Sequence, residues 1–271
     1  MSPRSYGLGL RRDFLPELSQ RIPELALDFV EVAPENWLHF GGQAHRQLEQ
    51  VLCSVPLFCH GLSLSIAGPV ALDWQHLAEI RRFLREYEAV VYSEHLAYCR
   101  DAMGYLHDLL PFPFHQESLC WIRDRVQQVQ DYLQRPLVLE NTALYGSFAE
   151  SDRSELDFLL ELLEQSGCEL LLDLNNLFVN SQNHGYDPHS FLAALPAEKI
   201  RYYHVAGHYQ DPDGFYIDTH DSSVAPPVLD LLQQSIALIG PRPTLLEWDN
   251  DIPALDTLLN ELDRIRDPIP A

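Results

Sequence analysis

Imidazoles and carboxylates recur in this chain at the far ends of short apolar runs. His60 closes the run PLFCHG, His95 lies in AVVYSEHL, Glu140 in PLVLEN, Asp173 in CELLLDL, His204 in IRYYHVAG and Glu247 in PTLLEW. One histidine at such a place is usually structural, with its hydrogen bonds satisfied. Carboxylates gathered among several histidines are harder to explain that way. Converging negative charges repel, and burying each one unpaired costs several kcal/mol. A cation between them removes both costs, so metal binding is the chemistry these residue types support.

The stretch RYYHVAGHYQDPDGFYIDTHD (201–221) adds further donors. Asp218 and His220 form a D-x-H pair, and in an extended segment their side chains point the same way because strands alternate with period 2. Asn176 follows Asp173 by three residues in DLNN and shares a side with it if a helical turn begins there. His208, Asp211, Asp213 and Asp221 are expected to support the ligands or to face solvent. The nine candidates offer nitrogen and oxygen but no thiolate, which suits Fe, Mn, Zn or Mg and not an Fe–S cluster or blue copper. Nine donors exceed the needs of one ion. Two or three ions are therefore expected, with Glu140, central in the strand order, as the shared bridge.

The elements that must position these groups follow from periodicity. Apolar runs at 6–10, 27–33, 56–61, 89–96, 136–141, 168–174, 200–207 and 243–248 read as eight strands, and their unalternating hydrophobicity predicts burial on both faces. Between them lie amphipathic stretches such as 73–88, 115–133 and 153–167, the last ending in Gly167 where a left-handed cap is expected. Strict strand and helix alternation predicts an α/β chain folded as a single (β/α)8 TIM barrel over 1–271, with the chemistry at the C-terminal ends of the strands. No G-x-G-x-x-G follows the first strand, which disfavours an open dinucleotide-binding sheet. The Pro-rich DLLPFPFHQ (108–116) reads as a loop or lid.

Composition narrows the partners. With 18 basic against 40 acidic residues the formal net charge is −22, so nucleic acid and anionic membrane surfaces are disfavoured. The first residues lack the apolar core of a secretory signal, and no run of about 18 apolar residues occurs, so a cytoplasmic location is expected. Five cysteines without a C-x-x-C pair suggest neither a disulfide framework nor a thiolate zinc site.

Taken together, VEVAPENW (30–37), CHGLSLS (59–65), SEHLAY (93–98), HDLLPFPF (107–114), VLENTALY (138–145), LLDLNNLFVNSQNHGYDP (171–188), HVAGH (204–208), DTHD (218–221) and LLEWD (245–249) resemble the multinuclear non-haem iron-dependent oxidases, the family that includes the oxidase of methanobactin biosynthesis. The resemblance runs from about residue 6 to residue 252 and is specific through its motifs jointly. It implies a xylose-isomerase-like barrel that holds two or three iron ions (Fe2+/Fe3+) and uses O2 to oxidise cysteines of a ribosomally made precursor peptide. It also implies, as in many members, a separate peptide-recognition partner protein.

Carried over by motif, the resemblance groups His60, His95 and Glu140 at one iron, Glu140, Asp173, His204 and Glu247 at a second, and Asn176, Asp218 and His220 at a third. The apurinic endonuclease of the same superfamily has a histidine at the position of Asn176. An amide is the poorer ligand, so the third ion is expected to be weakly held. His184 and His208 are expected behind the ligands, while Glu31, Glu35, His107 and Asp108 sit in family-like motifs with local hydrogen bonding as their simplest role. A divalent-metal sugar isomerase or epimerase, or a non-catalytic metal-binding protein, would use similar donors on the same scaffold.

Overall fold

A computed structural model describes residues 2–39 and 41–266. The eight apolar runs become the strands of one closed, all-parallel barrel: β1 (Tyr6–Gly9), β2 (Phe29–Val32), β3 (Leu57–Gly61), β4 (Val91–His95), β5 (Val138–Glu140), β6 (Glu169–Asp173), β7 (Ile200–Val205) and β8 (Thr244–Leu246). Each strand pairs with the next in the chain, and β8 closes on β1 with Tyr6 opposite Thr244. The helices α1 (Leu15–Arg21), α2 (Gln43–Leu52), α3 (Trp74–Glu86), α4 (Gln116–Leu133), α5 (Glu155–Ser166), α6 (Leu174–His184), α7 (Pro188–Ala194), α8 (Pro226–Leu238) and α9 (Leu255–Arg266) lie between or after the strands. The (β/α)8 barrel expected from sequence is the fold.

Helix boundaries follow local chemistry. Asp73 begins α3 by accepting from the backbone N–H groups of Gln75 and His76, both at 3.0 Å, and Ser154 begins α5 by accepting from Asp157 N–H at 3.1 Å. Gly167 ends α5 at φ 73°, the left-handed cap anticipated from sequence. Among the described residues, no helix is long and apolar enough to cross a membrane.

Two apolar zones hold the barrel together. The larger lies between strands and helices. The smaller is a plug inside the barrel, made by Phe29, Phe58, Val91, Val138, Leu171, Tyr202 and Leu245, one residue from each of β2 to β8. β1 contributes Gly7 at this level, and the Phe29 ring takes the space of the missing side chain: a Cβ on Gly7 would lie 2.6 Å from it. Strand side chains alternate, so the next inward residue on each strand is two positions further on. Those residues are Glu31, His60, Ser93, Glu140, Asp173, His204 and Glu247. A polar ring thus sits directly on an apolar plug, at the C-terminal mouth.

The 108–116 stretch departs from the expected loop. Gly104–Leu110 is a strand paired antiparallel with Tyr98–Asp101, and only 111–115 separates it from α4. The turn is built by Asp101, whose Oδ1 accepts from Met103 N–H at 2.7 Å and Gly104 N–H at 3.3 Å. The prolines at 111 and 113 end the strand; they do not prevent it.

Candidate metal centre

Strand register sets the first neighbours. His95 stands beside Glu140 across β4 and β5, and Asp173 stands beside His204 across β6 and β7. His60 Nε2 lies 2.9 Å from Glu140 Oε2 and 3.1 Å from His95 Nε2, while His95 Nε2 is 3.3 Å from the same Glu140 oxygen. His95 Nδ1 is 3.0 Å from the Gly61 carbonyl oxygen, to which it donates, leaving the Nε2 lone pair for the cluster.

Glu140, Asp173, His204 and Glu247 form a second buried group. His204 Nδ1 lies 2.9 Å from Glu247 Oε2 and 3.9 Å from Asp173 Oδ2. Asp173 ends β6 and starts α6 with no loop between them. Its Oδ1 caps the helix by accepting from Asn176 N–H at 2.6 Å, and its Oδ2 is left to the cluster.

The three residues expected at a third ion, Asn176, Asp218 and His220, all line the same cavity. His220 Nε2 is 2.6 Å from Asp218 Oδ1, and its Nδ1 is 3.6 Å from Glu247 and 3.5 Å from Asp249. The amide that reaches Asp218 belongs to Asn175, whose Nδ2 donates to Oδ1 at 2.6 Å. Asn176 directs its Nδ2 to Glu140 Oε1 at 3.3 Å and to the Asn141 carbonyl at 3.1 Å, which leaves its Oδ1 buried and unpartnered. Consecutive residues on α6 point about 100° apart, so the two amides reach different partners. The 218–220 segment is not fully extended, since His220 has φ 49°.

The remaining candidates scatter. His208 stands behind Asn175, with Nδ1 2.7 Å from Asn175 Oδ1. His184 ties the far end of α6 to the Leu144 carbonyl at 2.7 Å, a structural bond away from the cluster. Asp211 shapes the 211–215 turn by accepting from Asp213 and Phe215 N–H, and Asp221 accepts from Thr219. Asp108 lines the cavity above the cluster, whereas the His107 side chain lies outside the described residues. Glu35 accepts from Leu62 N–H at 2.9 Å and Ser63 N–H at 3.0 Å, and with His76 and Glu94 makes a separate group not anticipated from sequence. Glu31, Asn175 and Asp249 also lie at or behind the centre, beside His204, Asp218 and His220 respectively, where strand-end spacing alone does not place them.

Charge in this ring needs neutralising. Burial disfavours an imidazolium at His60, yet Glu140 raises it to about 9, and Asp218 and Glu247 likewise raise His220 to about 10 against burial. Burial together with the charges of Glu140 and Asp218 lifts the Asp173 carboxyl to about 8. Burial would raise Glu247, but His204 and His220 hold it well below the usual carboxylate range.

The donor atoms fit a cation. Glu140 Oε2, Asp173 Oδ2, Asn176 Oδ1 and His220 Nε2 are buried without a hydrogen-bond partner, although several lie close to other polar atoms. Lone pairs that crowd together without aligning on one another converge on shared points. Donors about 90° apart on bonds of ~2.1 Å sit roughly 3 Å from each other, the spacing found among His60, His95 and Glu140. A cavity of about 670 Å³ opens over the cluster, lined in part by Arg11, Asn36, Leu62, Tyr105, Tyr145 and Asn250.

Comparison with known proteins agrees with this architecture. The chain is 49% identical over 261 residues to a UPF0276 protein of Shewanella amazonensis, covering 96% of this chain and 93% of that one. It is 44% identical to a UPF0276 protein of Pseudomonas aeruginosa, covering 96% and 91%. Among solved structures, endonuclease IV from Thermus thermophilus superposes with a TM-score of 0.63 at 16% identity, covering 97% of this chain and 98% of that chain. A 3-keto-D-glucoside 4-epimerase from E. coli superposes with a TM-score of 0.62 at 12% identity, covering 97% and 98%. At such identities these two report the fold alone, a closed (β/α)8 barrel. The model of the RiPP precursor modification enzymes MbnB/TglH/ChrH matches residues 5–269. This chain, carrying its polar ring at the mouth of such a barrel, belongs to that family of enzymes that modify ribosomally made precursor peptides.

Proposed function

We propose that the protein is an O2-dependent, multinuclear non-haem iron oxidase acting on cysteine residues of a ribosomally made precursor peptide. The observation that carries the reading is the buried nitrogen and oxygen array centred on Glu140, open to a cavity large enough for a peptide side chain and its neighbours. The nine candidates His60, His95, Glu140, Asp173, Asn176, His204, Asp218, His220 and Glu247 are its proposed ligands, with Asp249 beside His220 and Asn175 hydrogen-bonding Asp218 from behind. Bound iron would supply one-electron chemistry toward O2 and an open position for a soft cysteine sulfur.

The chain's own residues prepare that chemistry. His95 donates to Gly61, so its other nitrogen faces the centre as an acceptor. Asp173 divides its two oxygens between helix cap and cluster. Cys99 also lines the cavity, but burial raises its thiol above the ordinary value, as does the charge of Glu94. The protein's own sulfur thus stays protonated and competes poorly with a substrate thiolate. Arg11, held by the Trp248 carbonyl at 3.1 Å and by Asp249, balances the acidic rim.

The test is anaerobic loading with ferrous iron followed by an O2-uptake assay. Uptake that appears only with a Cys-containing precursor peptide, and not with its Cys→Ser counterpart, is expected, together with a mass change in the peptide. Turnover of a sugar without O2 would instead identify an isomerase or epimerase, and failure to retain iron would overturn the reading.

A further inference from the structure

Beneath the cluster runs a buried chain of hydrogen bonds that joins two of its histidines from behind. His60 Nδ1 lies 2.7 Å from Ser93 Oγ, Ser93 Oγ lies 2.6 Å from the Tyr202 hydroxyl, and Tyr202 donates to Glu31 Oε2 at 2.7 Å. On the other side, His204 Nε2 is 3.0 Å from Glu31 Oε1, close but not aligned as a hydrogen bond. Ser93, Tyr202 and His204 have no exposure, and Glu31 retains 4%.

Counting protons gives this chain a direction. A phenol has one proton, and Glu31 takes it, because a carboxylate only accepts. Ser93 must then donate to Tyr202, and the 2.6 Å bond outcompetes the 3.3 Å alternative from Ser93 to the Cys59 carbonyl. With its own proton spent, Ser93 accepts from His60 Nδ1–H. The other arm follows from the metal reading: Glu247 Oε2, 2.9 Å from His204 Nδ1, is itself a proposed ligand, so with an ion between the two the ring proton falls to Nε2, beside Glu31 Oε1.

We propose that Glu31 is a positioning residue that fixes the tautomers of both His60 and His204, presenting His60 Nε2 and His204 Nδ1 to the metal centre and coupling the first two groups through one carboxylate. This rests on the reading of the cluster as a metal centre. Removing such outer partners of ligating histidines typically lowers metal affinity about 10–100-fold.

The probe is zinc, a diamagnetic stand-in for iron, bound to 15N-histidine-labelled protein. Nuclear magnetic resonance is expected to show one retained ring N–H on each residue, at Nδ1 of His60 and Nε2 of His204. Ser93→Ala and Tyr202→Phe should shift the His60 signal and spare that of His204, whereas Glu31→Gln should shift both. Zinc affinity, measured by chelator competition, should fall about 10–100-fold in Glu31→Gln. Retention of both wild-type signals in Glu31→Gln, or a His60 signal untouched by Tyr202→Phe, would overturn the inference even if zinc binds. Failure of the wild type to bind zinc or ferrous iron would instead sink the metal reading itself.

Discussion

Glu140 belongs to two of the groups proposed to hold metal. Its Oε2 is within reach of His60 and His95, Asn176 donates to its Oε1, and it shares the second group with Asp173, His204 and Glu247. Replacing it should therefore empty more than one position. Glu140→Ala, loaded with ferrous iron and desalted, is expected to lose metal from both groups, whereas His95→Ala should lose only about one equivalent, as elemental analysis would count. Equal losses in the two variants would show that Glu140 is not shared. The strand-end members of this ring are legible in sequence, since a polar residue closing an apolar run stands out. Glu31 and Ser93 are hidden inside FVEV and VYSEH, where an end-of-strand reading passes over them. A different signal identifies them: each lies two positions after a plug residue, Phe29 or Val91, as Glu140 lies after Val138. Asn176 is legible through its three-residue spacing from Asp173, whereas the bond from Asn175 to Asp218 depends on how the 218–220 segment folds back over α6.

At the scale of elements, α6 links the centre to the wall of the barrel. It begins at Asp173, and further along it Asn180 accepts from Leu144 N–H at 2.7 Å and donates to the Thr142 carbonyl at 3.0 Å, holding the segment that follows Glu140. Asn180 also donates to Glu155 at the start of α5, as does Tyr186, both at 3.3 Å for the shorter contacts. Burial raises the Glu155 carboxyl to about 7, only partly opposed by these two donors. A folded value above the unfolded one means that the folded state binds more protons between them. Stability from Glu155 is thus fully present below about 4.3 and is lost as pH rises through about 7. Glu155→Gln should gain on the wild type in urea denaturation at pH 8 compared with pH 5. The gain should not exceed about 3 kcal/mol, because the side chain keeps some solvent contact. An unchanged difference between the two pH values would refute this assignment. Helices and barrel strands were readable from their periods, but the 98–110 hairpin was not, because its signal is one Asx turn at Asp101 and not a hydrophobic pattern.

For the whole molecule, the question is what lets a chain of net charge −22 gather so many acids at one end of its barrel. Glu31, Glu140, Asp173, Asp218, Glu247 and Asp249 all lie around the mouth, and protons on the histidines and on Asp173 offset only part of their repulsion. The apolar plug and the outer helices must hold this arrangement closed against that repulsion. A bound cation would relieve it and bind the folded state alone, so it should stabilise by about 2.7 kcal/mol per site at 100 times its dissociation constant. For a domain of this size that corresponds to a rise of roughly 5–10 °C in Tm. Thermal melts of the metal-loaded protein, with and without a chelator under anaerobic conditions, should show this shift in the wild type. In Glu140→Ala it should be much reduced, because the shared oxygen is gone. A melting temperature indifferent to metal and chelator in the wild type would mean that protons alone close the ring, and that the barrel pays for its acidic mouth through packing.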